Sequence, residues 1–210
     1  MKPLVKDFVK NSQLPILQFV EDLTPWDAVA NIEFVIKSVI ETLDADEYYI
    51  DNDQAVHKSA TIEATAQLKG AVIVGPNCFV ANGSLLRGGV ILDADCIVGH
   101  CCEVKTSIMF MGSKVAHLSF AGDSILGCCA NVEGGAILAN YRNELDDKQI
   151  IVSYKGQRIA TGVAKFGAIL GDDVKVGANA VTAPGTLLAI ASVVGRGELV
   201  ESFGVPLVSK

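Results

Sequence analysis

The chain repeats a pattern of six residues over most of its length. Every sixth residue from Val56 to Val104 is aliphatic, and the fourth residue after each is small or β-branched. The aliphatic positions are Val56, Ile62, Leu68, Val74, Val80, Leu86, Leu92, Val98 and Val104. A short fixed period is typical of a solenoid, in which each turn buries its apolar face only against the next turn. The pattern predicts a mainly β fold, a left-handed parallel β-helix, which is an exception to the usual right-handed crossover.

The period is interrupted twice. It stops after Val104, returns in a new phase from Phe120 to Leu138, stops again across a polar stretch, and resumes from Leu170 to Val200. We therefore expect residues 105–119 and 140–163 to leave the solenoid. Insertions into solenoids form loops on one face, and such loops often carry the binding site.

The N-terminal quarter shows a helical pattern instead. Apolar residues recur at helical spacing between Pro25 and Leu43, and Thr24-Pro25 fits an N-cap followed by a first turn. We expect residues 1–50 to form a helical segment and residues 51–205 to form the solenoid domain. The helices would cap the first open turn of the solenoid.

Charge and hydropathy narrow the possible partners. The net charge of −7 argues against a general nucleic-acid binder, which would need a basic surface. The charged N-terminus lacks the continuous apolar stretch of a signal peptide, and no apolar run approaches the length of a membrane span. We therefore expect a cytoplasmic chain that binds neither nucleic acid nor a membrane.

The six cysteines do not form a metal-binding pattern. The sequence has no C-x-x-C, and His100 is the only histidine near the adjacent Cys-Cys pairs. Cys78, Cys96 and Cys102 occupy the small position of the repeat, where a free cysteine packs as a small hydrophobe. The sequence therefore predicts no metal site.

Three cations fall on one edge of the predicted solenoid. Three hexads make one triangular coil, so residues 18 apart stack in adjacent coils about 4.8 Å apart. Lys69, Arg87 and Lys105 form such a column. The column either binds an anion such as phosphate, for which Arg offers a bidentate fork, or consists of solvated cations that splay apart. Spacing alone leaves both possibilities open.

Four segments distinguish this sequence from other sequences with the same six-residue repeat. They are CEVK, GSKVAHLSFAGD, CANVEGGAILANYRN and LGDDVKVGANAVTAPG. With them, the chain from about Pro25 to about Val194 resembles the acetyltransferase domain of the bifunctional N-acetylglucosamine-1-phosphate uridyltransferase/glucosamine-1-phosphate acetyltransferase family, including its archaeal sugar-1-phosphate relatives. The resemblance implies acetyl-CoA-dependent N-acetylation of an amino-sugar 1-phosphate or a nucleotide-linked amino sugar. It also implies a homotrimer with acetyl-CoA in the grooves between subunits, and no metal.

The resemblance assigns roles to particular residues. His117, which on its apolar surroundings alone would be a structural histidine, becomes the general base that takes a proton from the attacking amine. Asn131 and Asn140 hold the acceptor and orient the reacting groups. The residues implied in acceptor binding are Arg87, Lys105, Phe120, Tyr141 and Lys148, and those implied in binding acetyl-CoA are Gly134, Ala178 and Arg196.

The sequence also departs from the family. Phe120 stands where the family usually has Tyr, and Glu133 replaces a glycine, which sets a carboxylate near the expected thioester. The segment before the repeat is too short for a nucleotidyltransferase fold and has no Gly-rich phosphate loop, so we expect no uridylyl transfer by this chain. The alternatives are a non-catalytic relative that binds a sugar phosphate or serves as a scaffold in sugar-nucleotide synthesis, and an O-acyltransferase of the same fold.

Overall fold

A computed structural model of the chain describes residues 2–201, so residues 202–205 of the predicted solenoid domain lie outside the described residues. The helical elements are a 3-10 turn at Val5–Asp7, α1 at Leu17–Val20, α2 at Pro25–Ala30 and α3 at Ile32–Ile40. The strands are β1 Tyr48–Asp51, β2 Gln54–His57, β3 Thr61–Ile62, β4 Gln67–Lys69, β5 Val72–Val74, β6 Phe79–Val80, β7 Leu85–Leu92, β8 Ile97–Val98, β9 Glu103–Met109, β10 Lys114–Val115, β11 Phe120–Gly122, β12 Ile125–Leu126, β13 Asn131–Val132, β14 Ile137–Leu138, β15 Ile151–Tyr154, β16 Gln157–Ala160, β17 Ala168–Leu170, β18 Lys175–Val176, β19 Val181–Thr182, β20 Thr186–Leu188, β21 Val193–Val194 and β22 Leu199–Val200.

The strands wind into a left-handed β-solenoid, so the predicted fold class is confirmed. Parallel pairing stacks the coils in three ladders, one for each side of the triangular coil. The inward residues are Val56, Val74, Leu92, Met109, Leu126, Leu170 and Leu188 on the first side, Ile62, Val80, Val98, Val115, Val132, Val176 and Val194 on the second, and Leu68, Leu86, Val104, Ala121, Leu138, Thr182 and Val200 on the third. β-Branched and aliphatic side chains fit the pleated ladders and fill the interior.

Residues 105–119 stay in the solenoid, so the expected first interruption is wrong. β9 and β10 continue the ladders without a loop, and Val98 pairs with Val115, 17 residues later. The coil is one residue shorter because Thr106 alone, at a φ of 49°, turns the corner between the third and first sides. Gly88 and Gly89 turn this corner together one coil earlier. The inward residue is consequently Ala121, and Phe120 lies beside it on the outer surface.

The second interruption is an insertion at the corner between the third and first sides, which we call the third corner. The chain leaves the third side after β14 and rejoins the first side at β17. Between them, β15 and β16 form an antiparallel hairpin outside the solenoid. The insertion ends at Gly167, where the chain rejoins the solenoid and Gly167 N donates a hydrogen bond to Asp123 O at 2.9 Å.

The N-terminal segment packs along the first side of the solenoid and not over its first coil, which corrects the expected end cap. The first side carries an outward stripe of fully buried isoleucines, Ile73, Ile91, Ile108, Ile125 and Ile169, and these share one core cluster with the N-terminal segment. Such a stripe needs an apolar cover because it would otherwise be exposed to water. Asp93 fixes the segment in place by accepting hydrogen bonds from Gln13 N and Leu14 N. No helix within residues 2–201 is long and apolar enough to cross a bilayer.

Candidate active site

His117 lies at the turn between the second and third sides, which we call the second corner. Its neighbours are fixed by backbone hydrogen bonds between successive coils: Leu118 N donates to His100 O, and Gly135 N donates to His117 O, both at 2.9 Å. Two more hydrogen bonds of this kind continue the stack through Gly134, Ala178 and Arg196. Asn179 N donates to Gly134 O at 3.1 Å, and Gly197 N donates to Ala178 O at 2.8 Å. The structure thus places His117, Gly134, Ala178 and Arg196 in one column.

The local sequence explains why the backbone can turn at His117. Gly99 lies beside it in the preceding coil, where a Cβ would come within 2.8 Å of His117 N. Leu118 takes the left-handed conformation, at a φ of 59°, and its side chain is 66% exposed. The His117 side chain is exposed as well. A solvent-accessible imidazole at this corner can accept a proton from a ligand that lies along the column.

Glu133 holds two of the groups predicted to bind acetyl-CoA. Its carboxylate accepts a hydrogen bond from Ala178 N at 2.9 Å and two from the Arg196 guanidinium, both at 3.0 Å. The Ala178 N–H and Arg196 together lower the pKa of Glu133 below its ordinary value, so the pair is ionised near neutral pH. A cleft of about 220 Å³ beside this pair is lined by Asn131, Glu133, Lys175 and Arg196, among others.

A second cluster occupies the third corner around Asp123. Lys105 Nζ donates to Asp123 Oδ2 at 2.9 Å, and Asn140 Nδ2 donates to the same oxygen. The Phe120 ring lies over Gly122, where a Cβ would come within 2.5 Å of Phe120 Cζ. Two predicted site residues, Lys105 and Asn140, therefore meet at one carboxylate, and a third, Phe120, lies beside them. Asp123 was not among the residues predicted from the sequence, although its place after a glycine in GSKVAHLSFAGD was the available signal.

The predicted cation column exists, but carboxylates accompany it. Lys69, Arg87 and Lys105 are in register on adjacent strands. Arg87 pairs with Glu103 at 2.6 Å, and Lys105 pairs with Asp123. Carboxylates therefore pair with two of the three cations, whereas Lys69 is exposed to solvent.

Tyr141 and Lys148 lie together on the insertion. Lys148 Nζ is 5.3 Å from the centre of the Tyr141 ring, and it donates to Asn143 O at 3.0 Å. Tyr141 directly follows Asn140, so this pair borders the third-corner cluster.

A larger cleft, of about 650 Å³, opens beside the third corner and was not anticipated from the sequence. Its lining includes Asn31 and Glu33 from the N-terminal helices, Thr106 and Asp123 from the corner, and Lys165 from the insertion. These side chains offer both hydrogen-bond donors and acceptors to a small polar molecule.

The predicted site residues thus form two groups at opposite ends of the third side. His117 lies five residues before Gly122 in the sequence, with the left-handed turn at Leu118 and strand β11 between them. Among residues 2–201, no side-chain hydrogen bond or ion pair joins His117 to Lys105 or Asn140. Among the described residues, no group of three His, Cys, Asp or Glu side chains could hold a metal ion.

The hexad ladders and the column at the second corner define a hexapeptide-repeat protein. No family model matches the sequence. The bifunctional protein GlmU of Methanococcus maripaludis is 34% identical over 195 residues, which cover 84% of this chain and 43% of that protein. The bifunctional sugar-1-phosphate nucleotidylyltransferase/acetyltransferase of Sulfurisphaera tokodaii is 31% identical over 161 residues, which cover 68% of this chain and 40% of that protein. The chain belongs to the hexapeptide-repeat family that includes these bifunctional proteins.

The chain spans less than half the length of the curated relatives it matches. Among solved structures, AntD, an N-acyltransferase from Bacillus cereus, shares 15% sequence identity at a TM-score of 0.45, with 76% of this chain and 87% of that chain covered.

Proposed function

We propose that the chain is an acetyl-CoA-dependent N-acetyltransferase that acts on an amino-sugar 1-phosphate of the glucosamine 1-phosphate type or on a nucleotide-linked amino sugar. The observation that carries this proposal is the column at the second corner, in which an exposed His117 stacks directly on Gly134, Ala178 and Arg196. The name of the Sulfurisphaera tokodaii relative supports acetyl transfer in sugar-phosphate chemistry.

His117 acts as the general base in this mechanism. Its imidazole takes a proton from the acceptor amine as the nitrogen attacks the thioester carbonyl, since a protonated amine has no lone pair to donate. The tetrahedral intermediate collapses, the bond to the CoA sulfur breaks, and the imidazolium returns the proton to the departing thiolate. Arg196 is placed to bind a phosphate of the coenzyme in place of the Glu133 carboxylate.

The acceptor is held at the third corner. Arg87 and Lys105 provide charge for its phosphate, and Asn140 provides an amide for its hydroxyl groups. Because His117 lies at the other end of the third side, we propose a homotrimer in which the second corner of one protomer faces the third corner of the next. The separation of the two residue groups supports this arrangement.

A non-catalytic sugar-phosphate-binding role is the second candidate. Two observations favour it: Glu133 holds both the Ala178 N–H and Arg196, and Phe120 offers no hydroxyl beside Asn140. A protein of this kind would bind the acceptor without transferring an acetyl group to it.

The first experiment measures thiol release from acetyl-CoA in the presence of glucosamine 1-phosphate and other amino-sugar phosphates. We expect acceptor-dependent release, and we expect His117→Ala to reduce it by about 100-fold or more, because general base catalysis contributes at least that factor. His57→Ala, which removes a histidine of the first coil that is hydrogen-bonded to Ser59, is the matched control and retains the wild-type rate. If acceptors raise the melting temperature but release no thiol, the non-catalytic role is correct.

A further inference from the structure

Three polar side chains at the second corner form a chain of contacts that the proposed acetyl transfer does not use. Cys101 Sγ lies 3.2 Å from His100 Nε2. His100 Nδ1 lies 2.6 Å from Asn82 Oδ1 and 3.0 Å from the backbone Asn82 O. All three residues are exposed to solvent. These contacts thus link a thiol to an imidazole and the imidazole to an amide.

The partners of His100 fix its tautomer. A backbone carbonyl can only accept a hydrogen bond, so Nδ1 beside Asn82 O must carry the proton. In a neutral imidazole the other nitrogen, Nε2, then has a free lone pair, and this lone pair faces the Cys101 thiol. His100 is therefore oriented as a base toward Cys101.

A nucleophile within hydrogen-bond reach of a base, with the base oriented by a third group, is the general arrangement of an activated nucleophile. The geometry also leaves room for the sulfur: a Cβ on Gly83 would lie 2.7 Å from Cys101 Sγ. Cys129 is the other exposed cysteine in the described chain, and its Sγ has no hydrogen-bond partner among residues 2–201. The base is thus specific to Cys101.

The position of the thiol indicates what it would react with. His100 precedes His117 in the second-corner column, and Cys101 stacks on Leu118 in the next coil. Since the proposed function places the thioester of acetyl-CoA along this column, the thiol stands next to the path of an acyl donor.

We propose that Cys101 is an acyl-accepting nucleophile toward thioesters, with His100 as its base and Asn82 as the residue that positions His100. His100 Nε2 takes the thiol proton, and Sγ attacks the thioester carbonyl. The bond between the acyl carbon and the donor sulfur breaks, and the donor thiolate takes the proton back from Nε2. The products are S-acyl-Cys101 and the free donor thiol. The identity of acetyl-CoA as donor rests on the proposed function, whereas the reactivity of the thiol does not.

The test uses the reduced full-length protein without any acceptor sugar, incubated with acetyl-CoA or with the small thioester S-acetyl-N-acetylcysteamine. Intact-mass spectrometry should show the addition of one acetyl group that neutral hydroxylamine removes, and peptide mapping should place it on Cys101. Cys101→Ala abolishes the adduct, whereas Cys129→Ala leaves it unchanged. His100→Gln slows its formation by about 100-fold, because the base is lost. Asn82→Ala slows it less, because the backbone carbonyl still orients His100.

Three results would each overturn the inference: no hydroxylamine-labile adduct on Cys101 with either thioester, equal labelling of Cys101 and Cys129, or equal rates for the wild type and His100→Gln. Failure of the proposed function is a separate result, because it appears as absent thiol release in the presence of amino-sugar acceptors. Labelling of Cys101 by the small thioester but not by acetyl-CoA supports the nucleophile and argues against coenzyme binding.

Discussion

At the residue scale, Glu133 has a structural counterpart that clarifies its role. Glu63 occupies the same position in the first coil, one residue after the inward residue of the second side, and it accepts a hydrogen bond from Asn82 N at 2.6 Å. Glu133 makes the same contact with Ala178 N four coils along the ladder. A carboxylate here therefore satisfies a backbone N–H at the second corner. Glu133 differs because it also binds Arg196.

Glu133→Ala should therefore strengthen the binding of acetyl-CoA. The substitution frees the Ala178 N–H and Arg196, and the coenzyme no longer has to displace a carboxylate from them. We expect the dissociation constant to fall by about tenfold. Isothermal titration calorimetry measures the change. Glu63→Ala is the matched control, since it loses the same kind of hydrogen bond at the same corner but three coils before His117 and away from Arg196. An unchanged or weaker affinity in Glu133→Ala would show that the carboxylate does not compete with the coenzyme.

The pKa of Glu133 gives this competition a pH dependence. Because the folded protein lowers that pKa, the carboxylate stays ionised and paired with Arg196 even where an ordinary glutamate would be protonated, and it is released only as the pH falls through the lowered value. The same reasoning makes Glu133 a group that favours the folded state at neutral pH and loses that contribution in acid.

At the element scale, the contact between α3 and β7 depends on a glycine. Gly89 has a φ of +89°, and a Cβ there would lie 2.5 Å from Ile32 Cγ2. Only a glycine allows the helix to approach the third corner this closely. The contact also sets one wall of the cleft that contains Asn31 and Asp123.

Gly89→Ala should destabilise the fold by about 3 kcal/mol, since it combines a left-handed conformation with overpacking against Ile32. Gly70→Ala is the matched control. Gly70 turns the third corner one coil earlier at a φ of +77°, and nothing lies within 4 Å of the added Cβ. That variant should lose only about 1 kcal/mol, from backbone strain alone. Urea unfolding followed by circular dichroism measures both values. Equal losses would show that the helix tolerates the added methyl group.

Also at this scale, the sequence predicted the ladders but not every phase within them. The six-residue period identifies inward residues such as Val98 and Leu86 because hydrophobic alternation reports burial directly. The period wrongly predicts Phe120, and not Ala121, as the inward residue of the third side. No apolar pattern marks a corner that is turned by one residue instead of two. The helical pattern of residues 25–43 likewise identifies a buried face but not the surface against which it packs.

The candidate site shows the same limit. The resemblance supplied His117, Gly134 and Ala178, and the stacking of coils explains why they share a corner. Asp123 was missed because a carboxylate that organises Lys105 and Asn140 is recognisable only once the coils are stacked. Residue 140 lies 17 residues after residue 123, in the next coil and before the insertion, and the missing residue of this shorter coil moves the pair off the 18-residue spacing.

At the scale of the whole molecule, the separation of His117 from Lys105 predicts that active sites form between subunits. Light scattering should give a mass three times the 22.1 kDa of the chain. The sharper experiment mixes two inactive variants, His117→Ala and Lys105→Ala, under conditions that allow subunits to exchange. Sites shared between protomers should recover about a quarter of wild-type activity, since half of each kind of corner is intact.

Two controls define the outcome of subunit mixing. Each variant mixed with itself should stay inactive, and mixing the two without exchange should recover nothing. If exchanged mixtures also stay inactive while the trimer is intact, both groups of residues act within one protomer, and the arrangement of corners proposed above is incorrect.

The N-terminal segment has a consequence for how the whole molecule melts. In a solenoid each coil touches only its neighbours, so the ends can fray one coil at a time. Here one stretch of backbone runs beside several coils: Leu14 binds Asp93, Asn11 O accepts from the Cys128 thiol, and Lys10 N donates to Asp172. Detaching the N-terminal segment therefore exposes the isoleucine stripe along its whole length at once. We therefore expect the coils to unfold together, as one cooperative unit, although the architecture is built from repeats.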